Sequence, residues 1–585
     1  MNKLDASRNT LVQSFFAQAE VYPEKALLHD KWGTVWKSQT YFEVADKVLR
    51  LSSCLLKMGI KSGDRVLICS ENRSEWAISD LAVMAIGGIS VPAYTTNTVD
   101  DHIFILQHAE ISLILCSGGS IAERLEKAVT FGKCFPRLIC FDGASGNMMS
   151  FDDALADNQP LSLQSDAIKA PMASDIACLI YTSGTSGKPK GVMLTHASIQ
   201  ANIDAAYDLL VEGGVAENAV FMSLLPLSHA YEHTAGMHLP LQIGAEIWYC
   251  DRTDKVAQML QEVRPTVMTA VPRLYEVLHD RIMFGVTAKG GVTERLFLRA
   301  IHLGRKKLSG KRLGFLERFQ NRVLDMLVRR KVRKRFGGRL SYFVSGGAAL
   351  SPEIGTFFLS LGVQILQGYG QTEASPLISA NRPKKIRIET VGPAVKGVIV
   401  AATPENELII RGDCVMKGYW RDDNATAMVL QNGWLHTGDL GKIDSDGYIT
   451  IIGRKKDIIV TSGGDNIAPA KLEAALVMKP EIDQVMVYGD KMPWLSAIVV
   501  PASENNNDKA VFEDISRCIS EVNQTLSKSE KIRRFLIADA PFSVENALLT
   551  PTLKIRRLAV VDAYQKQLNE LYRKKGKHDE GRERA

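Results

Sequence analysis

Short apolar runs alternate with amphipathic helical stretches through the first third of the sequence, and this alternation restricts the possible folds more than any other feature. Within residues 41–58, Val44, Val48, Leu51 and Leu55 recur three or four positions apart, which places them on one face of a helix. The apolar runs between the helical stretches have the lengths of buried strands: 65–69, 90–92, 111–116, 137–141 and 176–181. Strands that alternate with helices usually pair in parallel and are covered by helices. The sequence therefore predicts an α/β fold.

The chain is too long for one hydrophobic core, since 585 residues usually divide into two or more domains. From about residue 400 short strands and turns dominate, with a hairpin turn predicted at 444–447. Beyond Lys456 follows an α+β segment that is large enough to fold as a small domain. We expect a large N-terminal domain of mixed β-sheets flanked by helices over 1–455, and a small, mobile α+β domain over 456–585.

The composition is that of an ordinary globular protein, with 46% hydrophobic and 23% charged residues. The nine cysteines are scattered, several of them inside apolar runs, and are predicted to be buried thiols in a reducing compartment. The first residues lack the apolar core of a secretory signal. No window has the roughly 20 consecutive apolar residues that a membrane span needs. These observations predict a cytoplasmic protein that does not cross a membrane.

Positive charge is concentrated in one segment of the chain. Residues 289–339 contain 17 lysines and arginines but only three acidic residues, whereas the rest of the chain is net acidic. Apolar residues recur there at helical spacing in two groups: Leu296, Ala300 and Leu303, then Leu316, Phe319, Val323 and Leu327. This pattern predicts a helical hairpin that is inserted into the α/β body over about 285–340.

A loop that combines glycines, hydroxyls and lysines follows the apolar run 177–180; its sequence over 181–191 is Tyr-Thr-Ser-Gly-Thr-Ser-Gly-Lys-Pro-Lys-Gly. Glycines let a backbone close around a ligand, while hydroxyls, backbone N–H groups and lysines donate to phosphate oxygens. The loop is not a Walker A motif, because two residues rather than four separate Gly184 from Gly187 and Pro189 follows Lys188. It predicts a phosphate-binding site of another type.

This loop resembles the phosphate signature of the adenylate-forming superfamily, which includes acyl-CoA synthetases. Further motifs of that superfamily follow in the expected order: Leu-Pro-Leu-Ser-His at 225–229, Ser-Gly-Gly-Ala-Ala-Leu at 345–350, Gln-Gly-Tyr-Gly-Gln-Thr-Glu at 367–373, Gly-Trp-Leu-His-Thr-Gly-Asp at 433–439, Gly-Arg-Lys-Lys-Asp at 453–457 and Leu-Thr-Pro-Thr-Leu-Lys at 549–554. The resemblance spans roughly residues 20–570. It implies ATP-dependent activation of a carboxylic acid as an acyl-adenylate, followed by transfer to a thiol.

The resemblance also implies roles for individual residues. Catalytic roles fall to Lys554, Glu373, Thr372 and His229, with Glu373 also the ligand of Mg²⁺, an ion that prefers carboxylate oxygens. Residues expected to bind ATP or AMP are Thr182, Ser183, Gly184, Thr185, Ser186, Gly187, Lys190, Gly346, Gly347, Ala348, Gln367, Gly368, Tyr369, Gly370, Asp439 and Arg454. Lys456 is expected to be the hinge between the domains, and Gly463 and Gly464 to let the arm of coenzyme A pass close to the backbone.

Within the superfamily, the segments 265–276, 289–339 and 432–456 resemble long-chain fatty acyl-CoA synthetases most closely. The substrates implied are a long-chain fatty acid, ATP and coenzyme A. One alternative is a ligase for a medium-chain or aryl acid, or one that uses a carrier-protein thiol. A second is a non-catalytic lipid- or nucleotide-binding protein, although the expected catalytic residues are all present.

The basic segment 289–339 has two interpretations of equal weight: attraction to anionic membrane headgroups, which predicts peripheral association with the inner face of a membrane, and a solvated, salt-bridged helical face. Its aromatic residues, Phe297, Phe315, Phe319 and Phe336, are at apolar-face positions. They give little support to base stacking, so no nucleic-acid partner is expected. A homodimer remains open.

Two positions depart from the long-chain pattern. Ala547 stands where glycine is common, which stiffens the loop if the position needs a positive φ. Asp465 follows Gly463 and Gly464 where lysine is common, and an acid there weakens the attraction for the phosphates of coenzyme A. The identity of the acceptor is therefore less constrained than the adenylation step.

Overall fold

The chain divides into two compact units in a computed structural model that describes residues 10–144, 146, 148–162, 171–182, 189–216, 218–250, 255–502, 508–550 and 554–573. The large unit comprises Met1–Ala402, Ile409–Thr437 and Ile443–Thr450. The small unit comprises Thr403–Leu408, Gly438–Lys442 and Ile451–Ala585. The mobility of the small domain and its boundary after residue 455 stay predictions.

The first sheet of the large unit has eight strands, which lie in the order Leu377–Ala380, Ile365–Gly370, Tyr342–Ser345, Val267–Ala270, Val220–Ser223, Glu246–Tyr249, Ala26–Trp32 and Val35–Thr40. The six central strands pair in parallel, and the strand at each edge is antiparallel to its neighbour. The central strands are buried runs with little alternation, as expected for parallel strands that are covered on both faces.

The second sheet of the large unit also has eight strands, in the order Gly418–Tyr419, Lys190–Thr195, Ile176–Thr182, Ile89–Pro92, Arg65–Cys69, Ile111–Cys116, Arg137–Cys140 and Met149–Ser150. The pairs from Ile176–Thr182 onward are parallel, whereas Lys190–Thr195 is antiparallel to both of its neighbours. Every apolar run predicted as a strand in this region is a strand of this sheet.

Helices cover these sheets: Leu11–Val21, Tyr41–Lys57, Ser74–Ala85, Val99–His108, Ser120–Gly132, Phe151–Ala156, His196–Glu212, Leu239–Ile243, Val256–Val263, Pro272–Thr287, Pro352–Ser360 and Asp423–Val429. Tyr41–Lys57 begins with a capping box, in which the Thr40 hydroxyl accepts from the Glu43 N–H and the Glu43 carboxylate accepts from the Thr40 N–H. Its predicted face, including Val44 and Leu51, is buried. A π-helix spans Glu232–His238 and a 3₁₀-helix spans Thr372–Ala374.

The basic segment 289–339 is helical, as predicted, over Gly291–Leu308, Phe315–Leu324, Asp325–Arg329 (a π-helix) and Arg330–Arg335. The first of these helices buries its apolar face against Pro352–Ser360. The apolar-face positions Phe315 and Phe319 are not covered, because Phe315 is 87% exposed and Phe319 is 65% exposed. The helix Phe315–Leu324 buries Leu324 alone.

Between residues 398 and 454 short strands alternate with turns, at Val398–Ala402, Glu407–Gly412, Leu430–Gln431, Trp434–Ile443 and Ile449–Arg454. The predicted hairpin turn is present, since the Asp444 carbonyl accepts from the Gly447 N–H and the Asp444 N–H donates to the Tyr448 carbonyl. The Arg387 guanidinium bonds the carboxylates of Asp444 and Asp446 and holds this turn to the large unit.

The small unit is built on the strands Ile482–Tyr488, Leu495–Pro501 and Ile532–Ile537, with the first pair antiparallel and the second parallel. Helices Pro469–Val477, Asp508–Asn523, Arg557–Ala563 and Gln565–Arg573 accompany this sheet, together with the strand pair Ile459–Val460 and Asn466–Ile467. Two apolar clusters, one centred on Ile515 and Leu472 and the other on Phe542 and Val560, form its core.

Two sequence predictions concern the whole chain. Eight of the nine cysteines are buried and Cys134 is half-buried, which confirms the prediction of buried thiols. Burial raises the pKa of Cys69 to about 12, so this thiol stays protonated at neutral pH. Among the residues that the structure describes, no helix is both long and apolar enough to cross a membrane.

Candidate active site

Three predicted motifs of the large unit follow parallel strands of the first sheet. The residues 225–229 come after Val220–Ser223, the glycines Gly346 and Gly347 come after Tyr342–Ser345, and the residues 368–373 end and follow Ile365–Gly370. Parallel neighbours end at the same edge of a sheet, and ligands of open α/β folds bind outside that edge. The sheet therefore collects segments that lie far apart in the sequence at one carboxyl edge.

The motif around His229 contacts the glycine turn at this edge. The Tyr231 hydroxyl donates to the Val344 carbonyl at 2.8 Å, and a Cβ added at Gly346 would lie 3.1 Å from the Tyr231 ring. Gly347 has a φ of +81°, which favours glycine, and neighbouring Ala348 is exposed. His229 is half-buried, and its Nδ1 accepts a hydrogen bond from the Tyr231 N–H at 3.2 Å.

The residues 367–370 form the end of a strand, and the backbone of Pro376 lies close to the backbone of this end. A Cβ at Gly370 would overlap the Pro376 carbonyl oxygen, so only glycine fits there without a backbone shift. Gln367 is buried and its Oε1 has no hydrogen-bond partner among the described residues. A buried amide oxygen without a donor is costly, and a ligand amine would satisfy it. Tyr369 is half-buried beside it.

Glu373 lies in the 3₁₀-helix Thr372–Ala374 and connects this edge to the second sheet. The Tyr419 hydroxyl donates to Glu373 Oε1 at 2.9 Å, and Lys190 Nζ lies 4.8 Å from the centre of the Tyr419 ring. Lys190 is also the register partner of Thr182, so both ends of the predicted phosphate loop are held here. The loop residues Ser183, Gly184, Thr185, Ser186 and Gly187 lie outside the described residues.

The Glu373 carboxylate fits a hard divalent cation. It is half-buried and one of its oxygens is oriented by the Tyr419 hydroxyl. Carboxylate oxygens are the protein ligands that Mg²⁺ prefers, usually one or two of them together with phosphate oxygens and water. Thr372, directly before it, is half-buried and offers a hydroxyl.

In the small unit the structure brings three predicted residues together. Arg454 Nε lies 3.1 Å from Asp439 Oδ1, and Asp439 is buried whereas Arg454 is exposed. Removal from water lowers the pKa of the Lys554 ammonium; the Arg454 charge lowers it further and the Asp439 charge opposes the shift. The Lys554 side chain is nevertheless exposed, so it remains accessible to a ligand. Its backbone N–H donates to the Thr550 hydroxyl at 3.0 Å.

Lys456, Gly463 and Gly464 also lie in the small unit, and all three are exposed. Gly464 has a φ of +85° and its N–H donates to the Thr461 carbonyl, which closes a tight turn. Nothing occupies the space where a Gly464 Cβ would be, so the glycine is required by its backbone conformation and not by crowding.

Comparison with known proteins assigns the family. A family model described as AMP-binding enzyme matches residues 15–420, and a second, described as AMP-binding enzyme C-terminal domain, matches residues 456–576. The chain belongs to the AMP-binding enzyme family. Its members use ATP, and the predicted membership of the adenylate-forming superfamily is thereby confirmed.

Curated relatives extend over almost the whole of this AMP-binding enzyme. The long-chain-fatty-acid–CoA ligase FadD15 of Mycobacterium bovis is 32% identical over 569 residues, which cover 92% of this chain and 93% of the relative. The long chain acyl-CoA synthetase 1 of Arabidopsis thaliana is 31% identical over 628 residues, which cover 98% and 94%.

A solved structure shows the same fold. The anthranilate CoA ligase AuaEII in complex with anthranoyl-AMP matches with a TM-score of 0.75 at 19% identity, covering 96% of this chain and 98% of that one. The predicted α/β fold of adenylate-forming enzymes is confirmed.

A buried polar network that the sequence does not indicate involves histidines that follow His229 along the chain of this AMP-binding enzyme. His233 and His238, both in the π-helix, each place Nε2 3.1 Å from Asp80 Oδ2, and all three side chains are buried. Burial alone would raise the pKa of Asp80, but the two histidines hold it well below its usual value. Their ligand-type atoms lie within 4.8 Å of one another. The network ties the π-helix to Ser74–Ala85 and supports the segment that carries His229.

Glu232 belongs to the same π-helix and is also fully buried. The Thr269 hydroxyl donates to its Oε2 at 2.5 Å. Burial raises the pKa of Glu232 to about 7, because the apolar surroundings disfavour its charged form more than the hydrogen bonds favour it. The sequence around Glu232 does not predict this burial, because hydrophobic periodicity gives no sign of a buried carboxyl group.

Replacing Glu232 with glutamine should remove part of the pH dependence of stability. The folded pKa of about 7 lies above the unfolded value, so the folded protein holds an extra proton between the two and its free energy of unfolding falls as pH rises through this range. Glutamine cannot ionise, so relative to the wild type the variant should gain about 3 kcal/mol between about pH 4 and pH 8. Urea denaturation at several pH values measures this difference. Glu353→Gln, at an exposed position, should show none; a constant difference for Glu232→Gln would contradict the raised pKa.

Ala547 adopts a φ of +60°, so this position does need the left-handed backbone that the long-chain pattern implied. A left-handed conformation costs an alanine about 1–2 kcal/mol, whereas glycine loses about 0.5–1 kcal/mol of chain entropy. Ala547→Gly should therefore stabilise the protein by about 0.5–1 kcal/mol in chemical denaturation. Ala563→Gly, in the helix Arg557–Ala563, is the control and should destabilise by a similar amount; equal effects of the two changes would refute the strain.

Proposed function

We propose that this AMP-binding enzyme activates a long-chain fatty acid with ATP and transfers the acyl group to coenzyme A. In the first step a carboxylate oxygen of the acid bonds to the α-phosphorus of ATP, the bond to the bridging oxygen breaks and pyrophosphate leaves. In the second step the thiolate of coenzyme A bonds to the acyl carbon, the acyl–oxygen bond breaks and AMP leaves. The relatives named as long-chain-fatty-acid–CoA ligases support this assignment.

The observation that carries the proposal is the arrangement of Glu373, Tyr419 and Lys190 at the carboxyl edge of the first sheet. A carboxylate, a hydroxyl and an ammonium converge beside the ends of the predicted phosphate loop. This combination suits a cation-bound polyphosphate: the ammonium attracts phosphate oxygens and the carboxylate binds the cation. Mg²⁺ bound at Glu373 would neutralise phosphate charge during the transfer.

The first step brings two anions together, so positive charge has to be aimed at the phosphate oxygens. We assign this task to Lys190 and Lys554, with the Thr182 and Thr372 hydroxyls as further donors. The lowered pKa of Lys554 fits an ammonium that is partly removed from water, where its charge acts more strongly on an anion. His229 is assigned to the passage of the acid carboxylate.

Several residues are assigned to recognition of the nucleotide. Asp439 offers carboxylate oxygens to the ribose hydroxyls, oriented by Arg454 at 3.1 Å. In the large unit Gln367 and Tyr369 are assigned to adenine, and the backbone of Gly346 and Gly347 provides the close approach that a flat base needs. Lys456 is proposed as the hinge, and Gly463 and Gly464 as the turn that coenzyme A passes.

Three further parts of the prediction stay proposals: a cytoplasmic enzyme, peripheral attachment to the inner face of a membrane through residues 289–339, and a homodimer. Attachment would place the enzyme where its substrate is, since long-chain fatty acids partition into bilayers. Sedimentation velocity of the purified protein tests the dimer.

The direct test measures pyrophosphate and AMP release with ATP and Mg²⁺, with octanoate, palmitate, stearate or benzoate as the acid, and with or without coenzyme A. Palmitate and stearate should give the highest kcat/KM, and acyl-CoA should form only when coenzyme A is present. Preference for octanoate or benzoate would replace the long-chain assignment. Pyrophosphate release without turnover on coenzyme A would indicate a carrier-protein thiol, and inactivity with every acid would favour a binding protein.

A further inference from the structure

The basic segment 289–339 contains a concave site that the proposed reaction does not use. A cavity of about 370 Å³ opens between the end of the helix Gly291–Leu308 and the helix Phe315–Leu324. Its lining residues are Lys307, Lys311, Arg312, Leu313, Arg318, Asn321 and Arg322. We call it the basic pocket. Five of the seven side chains are cationic and none is acidic.

The cations of the basic pocket form no salt bridge with the described acids, although the charge of Lys307 acts on Asp325 at longer range. Of the three acids in the segment, Glu317 pairs with Lys306 and Asp325 pairs with Arg333, neither of which lines the pocket. Across the part of the chain that the structure describes, no carboxylate forms a salt bridge with any of the five. Arg318 Nε donates to the Leu313 carbonyl, which holds its guanidinium at the pocket. Salt bridges within the helical face therefore do not account for these five bases in the described part of the chain.

Clustered cations in a concavity repel one another, and an anion with several oxygens relieves this repulsion. Three guanidinium groups and two ammonium groups suit a phosphate, because the forked donors of arginine match its oxygens in pairs. The chemistry of the pocket therefore indicates a phosphate group as the ligand.

An apolar rim borders the basic pocket. Phe315 and Phe319 are one helical turn apart, beside Leu316, which is 75% exposed, and Arg318 lies between them in the sequence. Leu308 is also exposed, at the end of the preceding helix. Exposure of phenylalanine and leucine side chains to water is unfavourable. Insertion of these side chains between lipid chains removes their apolar surface from water and is therefore favourable.

This arrangement matches the two layers of a membrane surface. The cations suit the phosphates of the headgroup layer, and the apolar side chains suit the acyl-chain layer beneath it. A nucleic acid also offers phosphates, but Leu308 and Leu316 have no π-face on which a base stacks. The aliphatic part of the rim thus favours lipid.

We propose that the basic pocket binds the phosphate of an anionic phospholipid headgroup while Phe315, Leu316 and Phe319 insert into the adjoining acyl layer. The inference deepens the proposed function, because it places the enzyme on the bilayer that holds its fatty acid. Binding itself needs no catalysis and is measured separately.

The experiment is co-sedimentation of the full chain with vesicles of phosphatidylcholine, with or without phosphatidylglycerol. The wild type should bind the mixed vesicles and not pure phosphatidylcholine. Each near-surface base strengthens binding roughly fivefold, so Lys311→Gln/Arg312→Gln/Arg318→Gln/Arg322→Gln should weaken it roughly a hundredfold or more. Phe315→Ser/Phe319→Ser should weaken it roughly tenfold or more, and this loss should persist at high salt.

The matched control removes the same charge from exposed bases outside the pocket: Lys331→Gln/Lys334→Gln/Arg335→Gln/Arg339→Gln. It should weaken binding far less than the pocket variant, and an equal loss in both would overturn the pocket in favour of diffuse charge. Tighter binding of the wild type to duplex DNA than to the vesicles would also overturn the proposal. The proposal would also be overturned if the pocket variant bound the mixed vesicles as tightly as the wild type does.

Catalysis separates this inference from the proposed function. The pocket variant should adenylate dispersed octanoate at the wild-type rate, since no pocket residue belongs to the candidate active site. A wild type that binds vesicles but activates no acid would remove the proposed function and leave the lipid site standing.

Discussion

Replacing Lys554 with alanine should lower the rate of acyl-adenylate formation by roughly 10²–10³-fold, the usual cost of removing one preorganised donor to a developing anion. The Lys554 side chain is exposed beside Asp439 and Arg454, and partial removal of its ammonium from water lowers its pKa, so the charge is accessible to a ligand and incompletely hydrated. Pyrophosphate release under single-turnover conditions measures the step. If Lys554 acts on adenylation alone, thioester formation from preformed acyl-AMP should continue at the wild-type rate.

Two controls test that interpretation. Lys566→Ala removes an exposed lysine from the helix Gln565–Arg573 of the same unit and should change neither step. Lys554→Arg keeps the charge but changes its geometry, and should recover part of the adenylation rate. Equal loss of both half-reactions in Lys554→Ala would show that the residue supports the fold of the small unit and not adenylation.

Glu373→Gln should lower adenylation by roughly 10²–10³-fold and raise the Mg²⁺ concentration that gives half the maximal rate. Glutamine keeps the size of the side chain and still accepts from the Tyr419 hydroxyl, so the local hydrogen bond at 2.9 Å is preserved. What is lost is the negative charge that a hard cation requires. The readout is therefore the Mg²⁺ dependence of pyrophosphate release, with thermal unfolding to verify that the fold is intact.

Glu353→Gln is the matched control, because Glu353 is an exposed glutamate in the helix Pro352–Ser360 of the same unit. It should leave the Mg²⁺ dependence unchanged. A Glu373→Gln enzyme that is slow but shows an unaltered Mg²⁺ requirement would assign the carboxylate to positioning Tyr419 and would exclude it as a cation ligand. Tyr419→Phe then becomes the decisive variant, since it removes the hydroxyl alone.

Five strands of the second sheet and the helix after Thr40 follow from the sequence almost to the residue. The apolar run 65–69 is the strand Arg65–Cys69, and the helix predicted over 41–58 is Tyr41–Lys57. Each of these elements buries a continuous apolar surface, so the periodicity that determines it is visible locally. The order of the motifs along the chain likewise indicates the family.

Burial in the basic segment could not be predicted in the same way. Both of its longer helices carry an apolar stripe, but a stripe does not reveal what will cover it. Gly291–Leu308 packs on Pro352–Ser360, whereas Phe315–Leu324 leaves most of its stripe in water. Only the tertiary arrangement distinguishes a core face from an exposed one.

Contacts between residues that lie far apart in the sequence could not be predicted from it either. Asp80 and His238 are 158 positions apart, and nothing in their local sequences pairs them. Tyr419 belongs to none of the predicted motifs, yet its hydroxyl bonds Glu373 and its ring contacts Lys190. Such pairs depend on strand order, which hydrophobic periodicity does not encode.

The strand order of the first sheet also constrains how the chain matures during synthesis. Ala26–Trp32 pairs in parallel with Glu246–Tyr249, and Lys25 Nζ donates to the Gly244 carbonyl 219 residues later. At about 5–20 residues per second, the ribosome takes roughly 10–40 s to deliver that partner. Until then the strand that holds Leu27 and Leu28, fully buried in the finished protein, lacks its parallel partner and pairs only with Val35–Thr40. The nascent amino-terminal strand is thus a segment that a chaperone would protect during synthesis.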